Sequence, residues 1–101
     1  MAGKISSLSQ LIQQKRHTIL AIATTYGVKS IKYFGSIGRN EAGPASDLDL
    51  LVEFEPGYTL LDLIAIKQDL EDLLGCPVDV VTEAALSPYI RQQVLAEAIR
   101  L

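Results

Sequence analysis

Apolar side chains recur through residues 8–26 at Leu8, Leu11, Ile12, Ile19, Ile22, Ala23 and Tyr26, the spacing of a helix with one apolar face. Ser7 and Gln10 suit a capping box at its start, and Gly27 suits its C-terminal stop. The pattern then changes period. Residues 28–34 (VKSIKYF) read as a strand ending at Gly35. Residues 36–46 (SIGRNEAGPAS) predict a turn, one helical turn near Ile37–Glu41, and a loop. In residues 47–54 (DLDLLVEF) alternation places Asp47, Asp49, Leu51 and Glu53 on one strand face, and Leu48, Leu50, Val52 and Phe54 on the other.

Pro56-Gly57 marks a turn. Thr59 with Asp62 forms a second capping-box pattern, which opens a helix through Leu74 that Gly75 ends. Residues 77–81 (PVDVV) read as a short strand. Ser87 and Pro88 suit the N-cap and first position of a last helix running to about Arg100. No repeat or linker divides the chain, and 101 residues support one core. The expectation is a single α/β (α+β) domain over 1–101: a small mixed sheet of three or more strands with helices packed on it.

Composition narrows the function. At 49% hydrophobic and 21% charged residues, the chain has a globular balance, which argues against disorder. The apolar share is generous for so short a chain, enough for some of it to meet a partner. The net charge of -3 and the scattered lysines and arginines lack the basic stripe of a polynucleotide binder, so no direct nucleic-acid partner is expected. The lone Cys76 excludes an intrachain disulfide and a cysteine-based zinc site. MAGKISSLSQ has no apolar signal-peptide core, and no run approaches the roughly 18 apolar residues of a membrane span. The expected location is the cytoplasm, with no membrane contact.

The chemistry concentrates in three acids and a Gly-Ser turn. Asp47 and Asp49 stand two apart on a strand, so their carboxylates aim into one space. They repel unless one takes up a proton or a cation compensates. Magnesium, which prefers oxygen ligands and substrate phosphates, is the natural cation. Asp79 interrupts an apolar strand; if that strand lies beside 47–54, a third carboxylate completes a site for two ions. Gly35-Ser36 ends a strand where free backbone amides and a hydroxyl suit phosphate oxygens, and Arg39 can add a guanidinium. Neither a P-loop nor a GxGxxG fingerprint is present.

The run FGSIGRNEAGPASDLDLLVEF thus carries Gly35-Ser36, ten residues, then Asp47-x-Asp49. It resembles the GSx10DxD signature of the polymerase-β-type nucleotidyltransferase superfamily, and in length the minimal (MNT, MntA-type) antitoxins encoded beside HEPN-domain toxins. VDVV at 78–81 resembles the family's later strand with its third carboxylate. The resemblance implies a sheet with helices on one side and two divalent ions. It implies Asp47, Asp49 and Asp79 as metal ligands, with Asp79 also a possible base. Gly35 and Ser36 would hold the triphosphate of ATP. Arg39 falls where many minimal members carry Arg, although Gly38-Arg39-Asn40 departs from their usual Ala-Arg-Gly. It further implies AMP transfer to a tyrosine of a HEPN RNase toxin, which silences it.

Each feature has a plainer reading. Asp47 and Asp49 can be the wet face of an edge strand, Asp79 a strand terminator, Ser36 an N-cap and Arg39 a surface charge. Glu53 and His17 read as solvated, and Asp62, Asp69, Glu71 and Asp72 as the polar side of a helix. Cys76 reads as a packed turn residue. The stripe Ile90, Val94, Leu95, Ala98 and Ile99 reads as core, with a partner surface as the alternative. At the level of function the alternatives to catalysis are a non-catalytic antitoxin that acts by binding, and an enzyme modifying a small molecule.

Overall fold

The computed structural model describes residues 8–35 and 48–101. In chain order these form α1 (Leu8–Gln14), α2 (Arg16–Thr25), β1 (Val28–Phe34), β2 (Leu48–Phe54), α3 (Leu60–Leu74), β3 (Val78–Thr82), a 3-10 turn (Glu83–Ala85), α4 (Pro88–Glu97) and β4 (Ile99–Arg100). Ser7, the helical turn expected near Ile37–Glu41, its loop, and Asp47 lie outside the described residues.

Strand alternation decides the layering. Leu48, Leu50, Val52 and Phe54 of β2 turn to one side. There they bury against Ile31 and Tyr33 of β1, Val78 and Val80 of β3, Ile12 and Ile19 of the first two helices, and Ile66, Leu70 and Leu74 of α3. The apolar stripe expected along the first helical stretch is therefore real from Leu11 to Tyr26. It is split at Lys15, across which the backbone hydrogen bonds continue, from Lys15 N to Leu11 O at 3.0 Å and from Ile19 N to Lys15 O at 2.9 Å. Gly27 follows as anticipated, at φ +80.

The sheet order is β3-β2-β1-β4, with β1 antiparallel to both β2 and β4, and β2 parallel to β3. A parallel pair needs a crossover, and α3 supplies it. Its start is fixed by the capping box read from the sequence: Thr59 N donates to Asp62 Oδ2 at 2.9 Å, and Asp62 N donates to Thr59 Oγ1 at 3.3 Å. Its end is fixed by Gly75 at φ +71, in the left-handed conformation that glycine adopts without steric cost.

Two expectations are corrected. The last helix starts at Ser87-Pro88 as expected but ends at Glu97, and Ile99–Arg100 form a strand against Tyr33 and Lys32 of β1. The edge of β1 offers unpaired backbone groups, and pairing with them outcompetes one more helical turn. Nor are the helices confined to one side. Leu86 and Val94 bury against Leu51, with Phe34, Val81 and Ala98 around them, so α4 covers part of the other sheet face. The stripe expected on the last helix is core at Val94, while Ile90, Leu95 and Ile99 are exposed. Among the described residues no helix is long and apolar enough to cross a membrane.

Replacing Leu50, which is 1% exposed, by Ala is expected to cost about 2–5 kcal/mol in urea unfolding, through lost transfer energy and the cavity left behind. A pH-dependent contribution comes from Glu71. Its Oε2 accepts from Lys67 Nζ at 2.7 Å and from the backbone N–H of Val78 at 2.9 Å. The Lys67 ammonium and the Val78 amide hold this carboxyl below its ordinary value of 4.5, against a smaller opposing effect of burial. A lowered folded-state value means the stabilisation is present above pH 4.5 and fades as pH falls below it. The unfolding midpoint of Glu71→Gln should fall short of the parent's at pH 7, and the gap should close as the titration goes below that value.

Candidate active site

Asp49 is partly buried on β2, on the face opposite Leu48 and Leu50. In the parallel ladder it lies directly beside Asp79 of β3, as Leu51 lies beside Val81. Neighbouring strands stand about 4.8 Å apart, and residues paired in register share a face. The strand that interrupts its apolar run with Asp79 is thus next to the strand of the Asp pair, and its carboxylate is on the same side. Asp79 itself is exposed.

On the other flank Phe34, the last residue of β1, pairs with Asp49. The next residue, Gly35, has φ +75, and a Cβ built there would lie 2.5 Å from Asp49 Oδ2. Glycine is required twice at this position: for its backbone conformation, and because the Asp49 carboxylate occupies the space of a side chain. The motif by itself points only to close approach of a ligand to the backbone. The close approach to an acid of the adjacent strand comes from register.

Asp79 is held through its neighbour. β3 is an edge strand, and Glu71 satisfies the backbone N–H of Val78, the residue before Asp79. On the opposite side of Val78, Leu48 N donates to Pro77 O at 3.0 Å. Both edges of the strand are therefore fixed where the carboxylate projects.

Like charges in directly opposed positions destabilise a sheet pair, and a cation between them reverses the sign. Two carboxylates on one face, one of them packed against a glycine turn, fit an oxygen-seeking divalent ion that takes its remaining ligands from substrate. Among the described residues, no group of three or more His, Cys, Asp or Glu side chains gathers for a metal. Asp49 and Asp79 are the two expected ligands brought together, while Asp47, Ser36 and Arg39 lie outside the described residues.

The plainer readings hold for the other acids. Glu53 is exposed, 3.5 Å from Lys29 Nζ. Asp62 caps α3, and Asp69 accepts from the Tyr26 hydroxyl at 2.6 Å, which raises that phenol above its ordinary value of 10.0. His17 is exposed, and Cys76 packs against the core. A groove of about 310 Å³ lies on the carboxylate side of the sheet, between β1, β2 and α4. Its lining includes Lys32, Leu51, Glu53, Tyr58 and Leu95, and includes neither Asp49 nor Asp79.

Comparison with known proteins gives consistent matches. A family profile described as "Nucleotidyltransferase domain" matches residues 16–101. A protein of Methanocaldococcus jannaschii assigned as a protein adenylyltransferase is 42% identical over 88 residues, covering 87% of this chain and 95% of its own. A solved structure described as a minimal nucleotidyltransferase superposes with a TM-score of 0.84 at 45% identity, over 98% of this chain and all of the other. At 21% identity, and so as a likeness of fold alone, an MNT antitoxin solved in complex with the tri-AMPylated HEPN toxin of Shewanella oneidensis gives a TM-score of 0.66, over 87% of this chain and 69% of that one.

Gly35→Ala tests the packing of the turn against Asp49. The fold, followed by circular dichroism, should survive. Affinity for Mn2+, followed by electron paramagnetic resonance, should fall about 10–100-fold, the usual cost of disturbing what orients a metal ligand.

Proposed function

Because the chain belongs to the nucleotidyltransferase-domain family and is a nucleotidyltransferase, we propose that it transfers AMP from ATP to a tyrosine hydroxyl of a cognate HEPN RNase, and so acts as the antitoxin of that protein. The observation that carries the reading is the in-register placement of Asp49 beside Asp79 on the sheet face opposite the main core. Relatives assigned as protein adenylyltransferases, and the AMPylated HEPN toxin bound to an MNT antitoxin of the same fold, support the choice of AMP and of a protein acceptor.

In this reading Asp47, Asp49 and Asp79 hold Mg2+, two ions when the site is full, with ATP as substrate. Bound magnesium neutralises charge on the phosphates and on the departing pyrophosphate. The remaining work falls to the chain. Gly35 and Ser36 receive the triphosphate at the end of β1, and Arg39 adds a cation to it. The acceptor oxygen attacks the α-phosphorus and the bond to the β-phosphate oxygen breaks. Pyrophosphate leaves, and the hydroxyl proton passes to Asp79. Catalysis of this kind rests on positioning and charge more than on elaborate acid–base machinery. It suits a site made of strand ends whose register the core already fixes.

The test is intact-mass spectrometry of the cognate HEPN protein after incubation with the chain, ATP and Mg2+. A gain of one or more AMP units is expected, and Asp47→Asn, Asp49→Asn and Asp79→Asn should each abolish it with the fold intact. Transfer that persisted undiminished in Asp49→Asn would remove the proposed mechanism. Neutralisation of the RNase without any mass gain would replace it with inhibition by binding.

A further inference from the structure

α3 is apolar on two sides at its start. Ile66, Leu70 and Leu74 face the core. Leu60, Leu61 and Ile64 point outward, 68%, 76% and 53% exposed, where a surface helix ordinarily carries polar side chains. Fraying does not explain the exposure, because the capping box of Thr59 and Asp62 fixes this turn. Tyr58, also exposed, is held in place by stacking on Phe54, with ring centroids 4.2 Å apart and planes within 8°. Together these side chains form a rigid apolar ridge of the kind that marks a protein interface.

Tyr58, at one end of the ridge, also lines with Leu95 the groove of about 310 Å³ on the carboxylate side of the sheet. The charges around Tyr58 in this groove and in the adjoining hollow are lopsided. Glu53 and Glu83 line the groove, Glu55 and Asp62 line the hollow, and among the described residues Lys32 is the cation lining either. Glu53 is matched by Lys29, but Glu55 and Glu83 are exposed. Such a surface repels nucleic acid and anionic lipid. Laid on itself in a symmetric dimer, it would place the acidic borders of both copies in one interface. It fits a protein that presents an apolar segment flanked by Lys and Arg.

The ridge is also far from the chemistry. Phe54 ends the strand near whose start Asp49 stands, about 17 Å away at the usual rise per residue. A small acceptor cannot touch both places, but a folded protein can. We propose that the ridge Tyr58, Leu60, Leu61 and Ile64, with its acidic border, is the docking surface for the acceptor protein, which it grips through an apolar segment with basic flanks. The assignment rests on the adenylyl-transfer reading for the identity of the partner. It adds where that partner is held.

The experiment is isothermal titration of the HEPN protein into the full chain without ATP, in parallel with the mass assay. Leu61→Glu should weaken binding at least tenfold and raise the KM for acceptor, with kcat at saturating acceptor and the affinity for ATP with Mg2+ unchanged. Glu55→Lys should weaken binding about threefold and flatten its salt dependence. Tight binding retained in Leu61→Glu would overturn the docking assignment even if mass gain continued, leaving the transfer reading intact. Binding lost in Leu61→Glu, with no mass gain in the parent, would keep the docking surface and reject transfer. Absence of any binding by the parent would overturn the assignment, as would a concentration-dependent dimer of the chain alone that Leu61→Glu abolishes.

Discussion

The parallel pairing of β2 with β3 is the constraint on which the site depends. A slip of one residue in that ladder would turn Asp79 toward the core and expose Val78 and Val80. Both valines are buried, as are Leu48 and Leu50 opposite them. The apolar face therefore sets the register, and the register sets the carboxylates side by side. Like charges in opposed positions do not favour such a pairing, so it is the apolar face that carries it. Packing on one face thereby fixes where the two carboxylates stand on the other.

The supports of that ladder are concentrated in α3 and its two ends. The capping box starts the helix, Gly75 turns the chain back, and Glu71 reaches across to the first amide of β3. Glu71 closes a path from the helix to the residue next to Asp79. Its carboxylate serves both an ion pair and an edge-strand amide, which the helical polar stripe alone does not distinguish from a solvated acid. On the other flank Gly35 brings the end of β1 against Asp49. The candidate site is thus bounded by three strands, two of which carry its described acids.

The face that bears the acids is shared with structure. α4 lies across it over Leu51, Leu86 and Val94, and β4 then closes onto β1. This second, smaller core explains why Leu51, on the same face as Asp49, is buried. It also explains why the last helix stops where it does: Ala98 must leave the helix for Ile99 and Arg100 to reach the strand edge, and for Leu101 N to donate to Ile31 O at 3.0 Å. The outer side of α3 is left with aliphatic residues that no element of the described chain covers.

By itself the sequence determined what depends on neighbours a few residues away. The bounds of β1, the capping box at Thr59, the stops at Gly27 and Gly75, and the Ser87-Pro88 start of α4 were legible because each is a local hydrogen-bonding or dihedral requirement. The two-residue alternation likewise separated Leu48, Leu50 and Val52 from Asp49 before any fold was known, and the spacing of Gly35-Ser36 from Asp47 carried the resemblance to the nucleotidyltransferase family. What tertiary structure alone decided is non-local. The adjacency of Asp49 and Asp79 needs a helical crossover and a register. The fit of Gly35 against Asp49 needs an antiparallel partner, and the short β4 needs an open strand edge to pair with. A periodic pattern gives the face on which a residue lies, but which residue stands beside it follows from the backbone hydrogen bonds and packed volumes of the whole sheet.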